Sequence, residues 1–479
     1  MTSRVSRRRF LALAGGASAA ALLPSCGDAG GGDRGAVDRV LVLGAGIAGL
    51  TVANALTAAG VDVEVLEARD RVGGRTWTAD LDGAGVDLGA AWIHGTEGNP
   101  VACFARANGI AWRPAEVVDA ATAIYDAGRG FLAAPDLVTF LLAQSGFEEK
   151  IGELRRVLGP SASLSDGAAA YLDGEGLTGD ERRFADFAIR QGIGELFYGG
   201  PAEETSLEEL LRDEELSGGN QFPDGGYRRV VDRLAAGLEV RLGRAVSSVS
   251  WGPRGVVARS DRGEHRGSHA VVTVPLGVLK AGRIRFDPPL PAAKQGAIDR
   301  LAMASFEKVV LFFDAPFWSE AGRRNVIYLS RTWGEYPVFF DLTPFAGRPA
   351  LLCFSGGSFA RALQGRRDAE IVARVREILA EISGDGVPAP THATVTHWGD
   401  DPWALGSYSF VPVGASRGDM DALAEPVAGR LLFAGEATVP AWYGTVHAAM
   451  GSGLREARRL LGRESIDFLG GPAPDVGCA

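Results

Sequence analysis

Cysteine is scarce in this chain. Four of its 479 residues, Cys26, Cys103, Cys353 and Cys478, stand far apart and make none of the paired spacings of a zinc site or a disulfide framework. No metal site is expected, and the cysteines beyond Cys26 are expected to stay unpaired. Membrane-length apolar runs are lacking too: the N-terminal stretch from Phe10 to Leu23 is too short to cross a bilayer comfortably. Positive charge is in deficit, with 49 Lys and Arg against 59 Asp and Glu and a formal charge of −10. That balance excludes nucleic acid as a natural partner and favours, weakly, a cationic ligand. Internal repeats and low-complexity blocks are absent apart from one glycine-rich linker, which excludes solenoids. What remains is a soluble globular chain, 46% hydrophobic and 23% charged, long enough for two interleaved domains and a buried site.

The N-terminus is set apart from the fold. Ser6, Arg7, Arg8, Arg9, Phe10 and Leu11 form a twin-arginine pattern ahead of the apolar run, as in an export signal of the twin-arginine type. Leu23, Pro24, Ser25 and Cys26 resemble a lipoprotein cleavage box with Cys26 as the lipidated residue, although Pro24 departs from the small residue usual there. Gly27 to Gly35 supply a flexible tether that suits an anchored enzyme and is tolerated by a freely exported one. The expected location is periplasmic or at the cell surface. Without residues 1–25 four arginines leave and no acids, so 45 basic residues face 59 acidic ones and the charge is −14.

Arg39 to Leu43 reads as a strand, Gly44 to Gly49 as a turn, Leu50 to Ala59 as a helix and Val61 to Leu66 as a second strand. The stretch from about Val101 to Gly218 carries helical spacing and is expected to be a helical insertion. Strand patterns return at Val240 to Ser260, Ala270 to Val274, Glu307 to Phe313 and Ala350 to Ser355. Asp368 to Ile382 and Thr445 to Leu461 read as helices, and 470–479 as a loose tail. The expected fold is α/β. A Rossmann-like domain, of the glutathione-reductase kind, is built from residues 38–105, 220–290 and 425–465. It is interleaved with an α+β substrate domain from 106–219 and 291–424, after a signal (1–25) and linker (26–37) and before a tail (466–479).

Gly44, Gly46 and Gly49 form GxGxxG between a strand and a helix, with Glu67 at the end of the next strand. The first glycine permits the tight turn, the second lets amides approach a pyrophosphate, the third allows close helix packing, and the acid is placed for a ribose. The helix N-terminus adds partial positive charge. Dinucleotide binding follows.

Leu66 to Arg75, LEARDRVGGR, and Val86 to Gly95, VDLGAAWIHG, together resemble the flavin-containing amine oxidase family, which includes polyamine, monoamine and lysine-demethylating oxidases. The resemblance continues through Leu432 to Glu436, LFAGE, and Trp442 to Glu456, and spans Arg39 to about Leu461. It implies FAD, with Gly73, Gly74 and Arg75 along the pyrophosphate and flavin, where a guanidinium is a fitting anion clamp. It also implies that Gly435 and Glu436 reach the ribityl region, and that the following helix points its N-terminus at the flavin ring. Arg69, Ala91, Trp92, Val246, Trp403, Thr445 and Val446 are expected on the same cofactor.

Lys308, in LAMASFEKVVLFF, is an isolated lysine in an apolar strand, costly unless it has polar partners. By resemblance it holds a water next to the flavin; a strand-edge lysine reaching solvent is the alternative. In HWGDDPWALGSYS, Ser407 stands where monoamine oxidases carry a flavin-bonded cysteine, which implies noncovalent FAD. Tyr408 falls on one wall of an aromatic cage, suited to an amine by cation–π contact, with packing as the alternative. The facing position is Thr445, a half-open cage similar to the spermine-oxidase and demethylase branches. His94 resembles a polyamine-oxidase histidine that could bond a remote amine, with a structural turn histidine equally open. Glu195, Glu203 and Glu204 either attract a cationic substrate or form a solvated face.

The resemblance implies oxidative deamination of amines, polyamines foremost, with hydride transfer to the flavin, O2 as acceptor and imine or aldehyde and H2O2 as products. Three rivals stand beside it: an L-amino-acid oxidase, for which Arg190 or Arg361 would have to face a carboxylate, a dehydrogenase using another acceptor, and a non-enzymatic polyamine-binding lipoprotein. Oligomeric state is not legible.

Overall fold

The computed structural model describes residues 37–118, 122–319, 324–384, 386–464, 467–468 and 471–472. The twin-arginine signal, Cys26 and the glycine tether lie outside the described residues. Five parallel strands form the first sheet, in the order Val240–Arg241, Asp62–Leu66, Arg39–Leu43, His269–Val272, Leu431–Phe433. The sheet is thus assembled from three separate stretches of chain. Val40 to Leu43 are at most 1% exposed at its centre. A strand covered on both faces has no polar side, hence its unbroken apolar run.

Helix Ile47–Ala58 packs on this sheet and is buried along Ile47 to Leu56. The last helix, Val446–Leu461, crosses it so closely that a Cβ on Gly453 would stand 2.6 Å from the Ala48 carbonyl oxygen. Beside them lies a four-stranded sheet of Gly263–Gly267, Gly255–Ser260, Val246–Gly252 and Arg285–Asp287.

The other half is a seven-stranded sheet ordered His392–Val395, Phe306–Phe312, Ala350–Gly356, Val338–Asp341, Asn325–Leu329, Thr122–Asp126, Gly130–Phe131. The expectation of a wholly helical insertion after Val101 is therefore corrected. Thr122–Asp126 pairs in parallel with Asn325–Leu329, and Trp112–Pro114 joins Asn220–Pro223. These short β-branched and aromatic pieces are recruited by distant partners, which local helical composition does not register. Helices Ala134–Leu158, Leu164–Gly174 and Gly179–Asp186 fill the rest of the insertion, and Phe187–Tyr198 continues as a π-helix. No helix among the described residues is long and apolar enough to cross a membrane.

The cysteine expectation also needs correction. Cys103 is disulfide-bonded, whereas Cys353 is a buried free thiol.

Candidate active site

A cavity runs from the C-terminal ends of the parallel strands to the seven-stranded sheet. At its first end the walls are backbone. Gly44 has φ +112°, and a Cβ there would come within 2.7 Å of Thr273 Oγ1. Gly46 faces open space, and a Cβ on Gly74 would stand 3.3 Å from the Gly46 Cα, so two glycine turns meet. A Cβ on Gly49 would lie 1.9 Å from the Gly44 carbonyl oxygen; this third glycine packs behind the turn and does not line the cavity. Glu67 accepts from the amides of Ala45 (2.7 Å) and Arg69 (2.8 Å), which fixes its carboxylate at the cavity edge. Each oxygen keeps a lone pair for a hydroxyl.

Ion pairs brace the middle. Arg69 is bidentate to Asp401, with both contacts at 2.7 Å. Arg75 Nη1 donates to Glu436 Oε1 (2.8 Å) and the Ser407 carbonyl (3.1 Å), so its charge is partly countered by protein. Glu436 Oε2 accepts from Ser409 Oγ (2.5 Å) and the Gly444 amide (2.9 Å). Thr445 caps the last helix by accepting from the Ala448 amide at 3.1 Å, and Val446 and Ala449 bring that helix N-terminus to the cavity. Bare glycine backbone, a carboxylate at one end and a helix N-terminus at the other fit an extended dinucleotide.

At the far end the walls are side chains. Lys308 sits in a strand paired on both sides, opposite Phe354, and is 4% exposed, which removes the strand-edge alternative. Its Nζ donates to the carbonyls of Asp87 (2.9 Å) and Gly89 (2.6 Å) and lies 5.6 Å from the Trp92 ring centre. Burial pulls the ammonium down to about 8 against the attraction of Asp87. Burial likewise pushes the Asp87 carboxyl up to about 6, although Thr78 Oγ1 and the Tyr227 amide donate to it.

Tyr408 faces the same space, its ring 6.1 Å from that of Phe306 and its hydroxyl 3.4 Å from the Phe197 carbonyl. His94 Nδ1 meets Asn220 Oδ1 at 2.8 Å, and Glu116 accepts from the Asn220 Nδ2. The amide oxygen therefore faces the ring, and His94 carries a proton on Nδ1.

Every proposed site residue except Gly49 lines this one cavity: His94, Lys308, Tyr408 and Thr445, and on the cofactor side Gly44, Gly46, Glu67, Arg69, Gly74, Arg75, Ala91, Trp92, Val246, Trp403, Gly435, Glu436 and Val446. Glu195, Glu203 and Glu204 do not line it. Glu195 is wholly buried, Glu203 pairs with Arg190 and Glu204 with Arg361. Sequence reasoning missed Tyr443, which lines the cavity two residues before Thr445 and lies 6.0 Å ring to ring from Tyr198, another lining residue. It also missed Phe306 and Phe354. Aromatic residues in apolar strands read as core, and only the Tyr198 to Tyr443 proximity reveals a wall.

Fold and site define a cavity fit for a dinucleotide, whose second chamber is aromatic and carries one buried lysine. Residues 47–461 match the family described as flavin containing amine oxidoreductase. The chain is 34% identical over 452 residues to Lysine-specific histone demethylase 1 homolog 2 of Arabidopsis thaliana, covering 90% of this chain and 59% of that one. It is also 34% identical over 442 residues to the Arabidopsis protein FLOWERING LOCUS D, covering 88% and 55%. The chain thus spans little more than half the length of these curated relatives. Among solved structures, wild-type putrescine oxidase bound to putrescine superposes with a TM-score of 0.75 at 22% identity, over 89% of this chain and 99% of that one. The chain belongs to the flavin-containing amine oxidoreductase family. A flavin is the cofactor that the family description names; Ser407 offers only a hydroxyl, committed to the Ala304 carbonyl at 3.0 Å.

Proposed function

We propose that the protein oxidises polyamines and passes the electrons to O2. The chemistry bound FAD supplies is removal of a hydride from the carbon beside an amine nitrogen, with H2O2 formed from O2 and the imine hydrolysed by water. The chain's own residues hold the amine and the water. Tyr408 and Phe306 give the amine an apolar, electron-rich face, and burial there favours its neutral form. Lys308, with two N–H groups committed to Asp87 and Gly89, keeps one for a water in the cavity. His94, which lines the same cavity, is placed for a second amine further along the chain of a polyamine.

The observation that carries this reading is the buried, carbonyl-anchored Lys308 sharing a cavity with Tyr408. An amino-acid oxidase is disfavoured because Arg190 is held by Asp186 and Glu203, and Arg361 by Glu204, away from the lining. The test is peroxide release by FAD-loaded protein on spermine, spermidine, putrescine, aromatic monoamines, L-amino acids and a methylated-lysine peptide. Polyamine turnover slowed by Lys308→Met supports the proposal. Turnover of amino acids alone overturns it, and flavin reduction without peroxide replaces the oxidase with a dehydrogenase.

Export by the twin-arginine route, with a lipid on Cys26, belongs to the same proposal. Arg7→Lys with Arg8→Lys is expected to hold the protein in the cytoplasm, and Cys26→Ser to release it from membranes. Unchanged fractionation of both variants counts against the assignment.

A further inference from the structure

The helix that ends in the cavity wall is the least ordinary backbone in the fold. Phe187–Tyr198 is a π-helix over 12 residues, where such winding mostly comes as single turns, often at functional positions. Leu196, Phe197 and Tyr198 line the cavity. Just before them Gln191 and Glu195 are wholly buried. Among the described residues, Gln191 Oε1, Gln191 Nε2 and Glu195 Oε2 have no hydrogen-bond partner, although buried polar atoms are nearly always paired. Glu195 Oε1, by contrast, accepts from Trp333 Nε1 (3.2 Å), the Ala202 amide (3.4 Å) and Ser358 Oγ (3.5 Å). Gln191 Oε1 and Glu195 Oε2 each lie 3.2 Å from where a Cβ on Gly334 would stand. They face one gap, kept open by a glycine at φ +72°.

Two unpartnered acceptor oxygens at one buried gap are unfavourable, and two arrangements cure it. A proton on Glu195 Oε2 lets it donate to Gln191 Oε1. Alternatively the Gln191 amide turns over and its Nε2 donates to the ionised carboxylate. We propose that Gln191 and Glu195 form a two-state proton switch behind the cavity wall, with Glu195 a positioning residue that sets the charge behind the bound amine. The proton comes from solvent and returns to it. Arg190 on the same helix is held by Asp186 and Glu203, and Arg361 by Glu204, while Trp333 and Ser358 are uncharged. Burial, reinforced by Glu203, pushes Glu195 up to about 7, so both states are reached near neutrality. The ionised state adds a negative charge one layer behind Leu196 and Phe306 and strengthens the hold on the ammonium groups a polyamine keeps beyond its oxidised nitrogen.

The effect on substrate rests on the amine-oxidase reading, so the test begins with a measurement that does not. Thermal midpoints of FAD-loaded wild type and Glu195→Gln are compared from about pH 5 to 9. A carboxyl whose folded value exceeds its unfolded one binds more protons when folded, so wild-type stability falls as pH rises between about 4.5 and 7 and then levels. The amide that Glu195→Gln introduces can donate to Gln191 Oε1 but does not titrate. The midpoint of the variant relative to wild type is expected to climb across that window. Spermidine KM of the wild type is expected to fall roughly fivefold, relative to the variant, as pH rises through 7, with the change in KM rather than kcat. Parallel midpoint curves overturn the switch whatever the substrate. Diverging midpoints with parallel KM curves overturn the positioning role, and diverging midpoints without any amine turnover support the switch while overturning the amine reading. Should Glu195→Gln fail to accumulate, Gln191→Met substitutes for it. Loss of the amide donor costs the ionised state more, so the wild-type inflection near 7 is expected to move upward, and an unmoved inflection overturns the pairing.

Discussion

At one end of the cavity the protein offers bare backbone at Gly44, Gly46, Gly74 and Gly435 together with a helix N-terminus; at the other it offers Trp92, Phe306, Lys308, Phe354, Tyr408 and Tyr443. Backbone recognition depends on side chains being absent, and its geometry is set within single turns. Side-chain recognition gathers residues from positions 92 to 443, held by several different elements. Damage to the first end should therefore abolish cofactor binding as a whole, whereas damage to the second should leave the cofactor bound and alter rate or selection.

The largest expected effect is at the backbone end. In Gly49→Val the new Cβ would need the space 1.9 Å from the Gly44 carbonyl oxygen, so the first turn and helix cannot keep their present approach. FAD retention should weaken at least about a hundredfold, roughly 3 kcal/mol, read as flavin absorbance per chain after desalting. Wild-type flavin content in this variant would break the comparison.

Next comes the side-chain end. Lys308→Met should retain flavin and lose about a hundredfold in turnover, the usual scale for a group that places or moves a proton. Burial sets the ammonium near 8: below that pH the Nζ is charged, above it neutral. The wild-type rate profile should bend near pH 8 and the variant profile should not. Lost flavin in this variant would mean that the two ends are not separable.

A smaller effect is expected at Gly444, which has φ +73° and would place a Cβ 3.2 Å from Tyr408 Cδ2. Gly444→Ala presses on that ring and on the Gly444 amide bond to Glu436. Flavin content should hold while KM rises roughly fivefold, about 1 kcal/mol; steady-state kinetics on the best amine checks this. An unchanged KM would remove Tyr408 from substrate contact.

The same contrast explains what could be read beforehand. The Gly44 to Gly49 turn, Glu67 and the Gly73–Gly74–Arg75 turn were legible because a backbone that must approach a ligand constrains neighbouring residues in a short stretch. Lys308 was legible because a lysine in an apolar strand is costly and the surrounding motif is shared. Tyr443 and Tyr198 were not, since each alone is indistinguishable from core and their pairing exists only across more than 200 residues. Thr122–Asp126 was lost in helical composition because its partner strand lies at Asn325–Leu329. The π-winding of Phe187–Tyr198 was hidden too: over 12 residues its period is too close to that of an α-helix to separate by pattern.

Lys294 offers the sharpest control, because it is as buried as Lys308 and equally bound to carbonyls. Its Nζ donates to Ala422 (3.0 Å) and Leu423 (2.5 Å) and lies 4.0 Å from the Phe433 ring centre. Those carbonyls belong to the end of helix Arg417–Ala424, and Lys294 does not line the cavity, so here the lysine caps a helix. Burial pulls it down to about 7, below its unfolded value near 10.5. The folded state therefore binds fewer protons between those limits, and wild-type stability gains as pH rises from 7 towards 10. Lys294→Met lacks this gain, so its midpoint relative to wild type should be most favourable below pH 7 and decline above it. Turnover should stay within about twofold of wild type, since no lining residue moves. If Lys294→Met instead lost turnover on the scale of Lys308→Met, burial and carbonyl anchoring would not distinguish the two lysines, and the role given to Lys308 would rest on its place in the cavity alone.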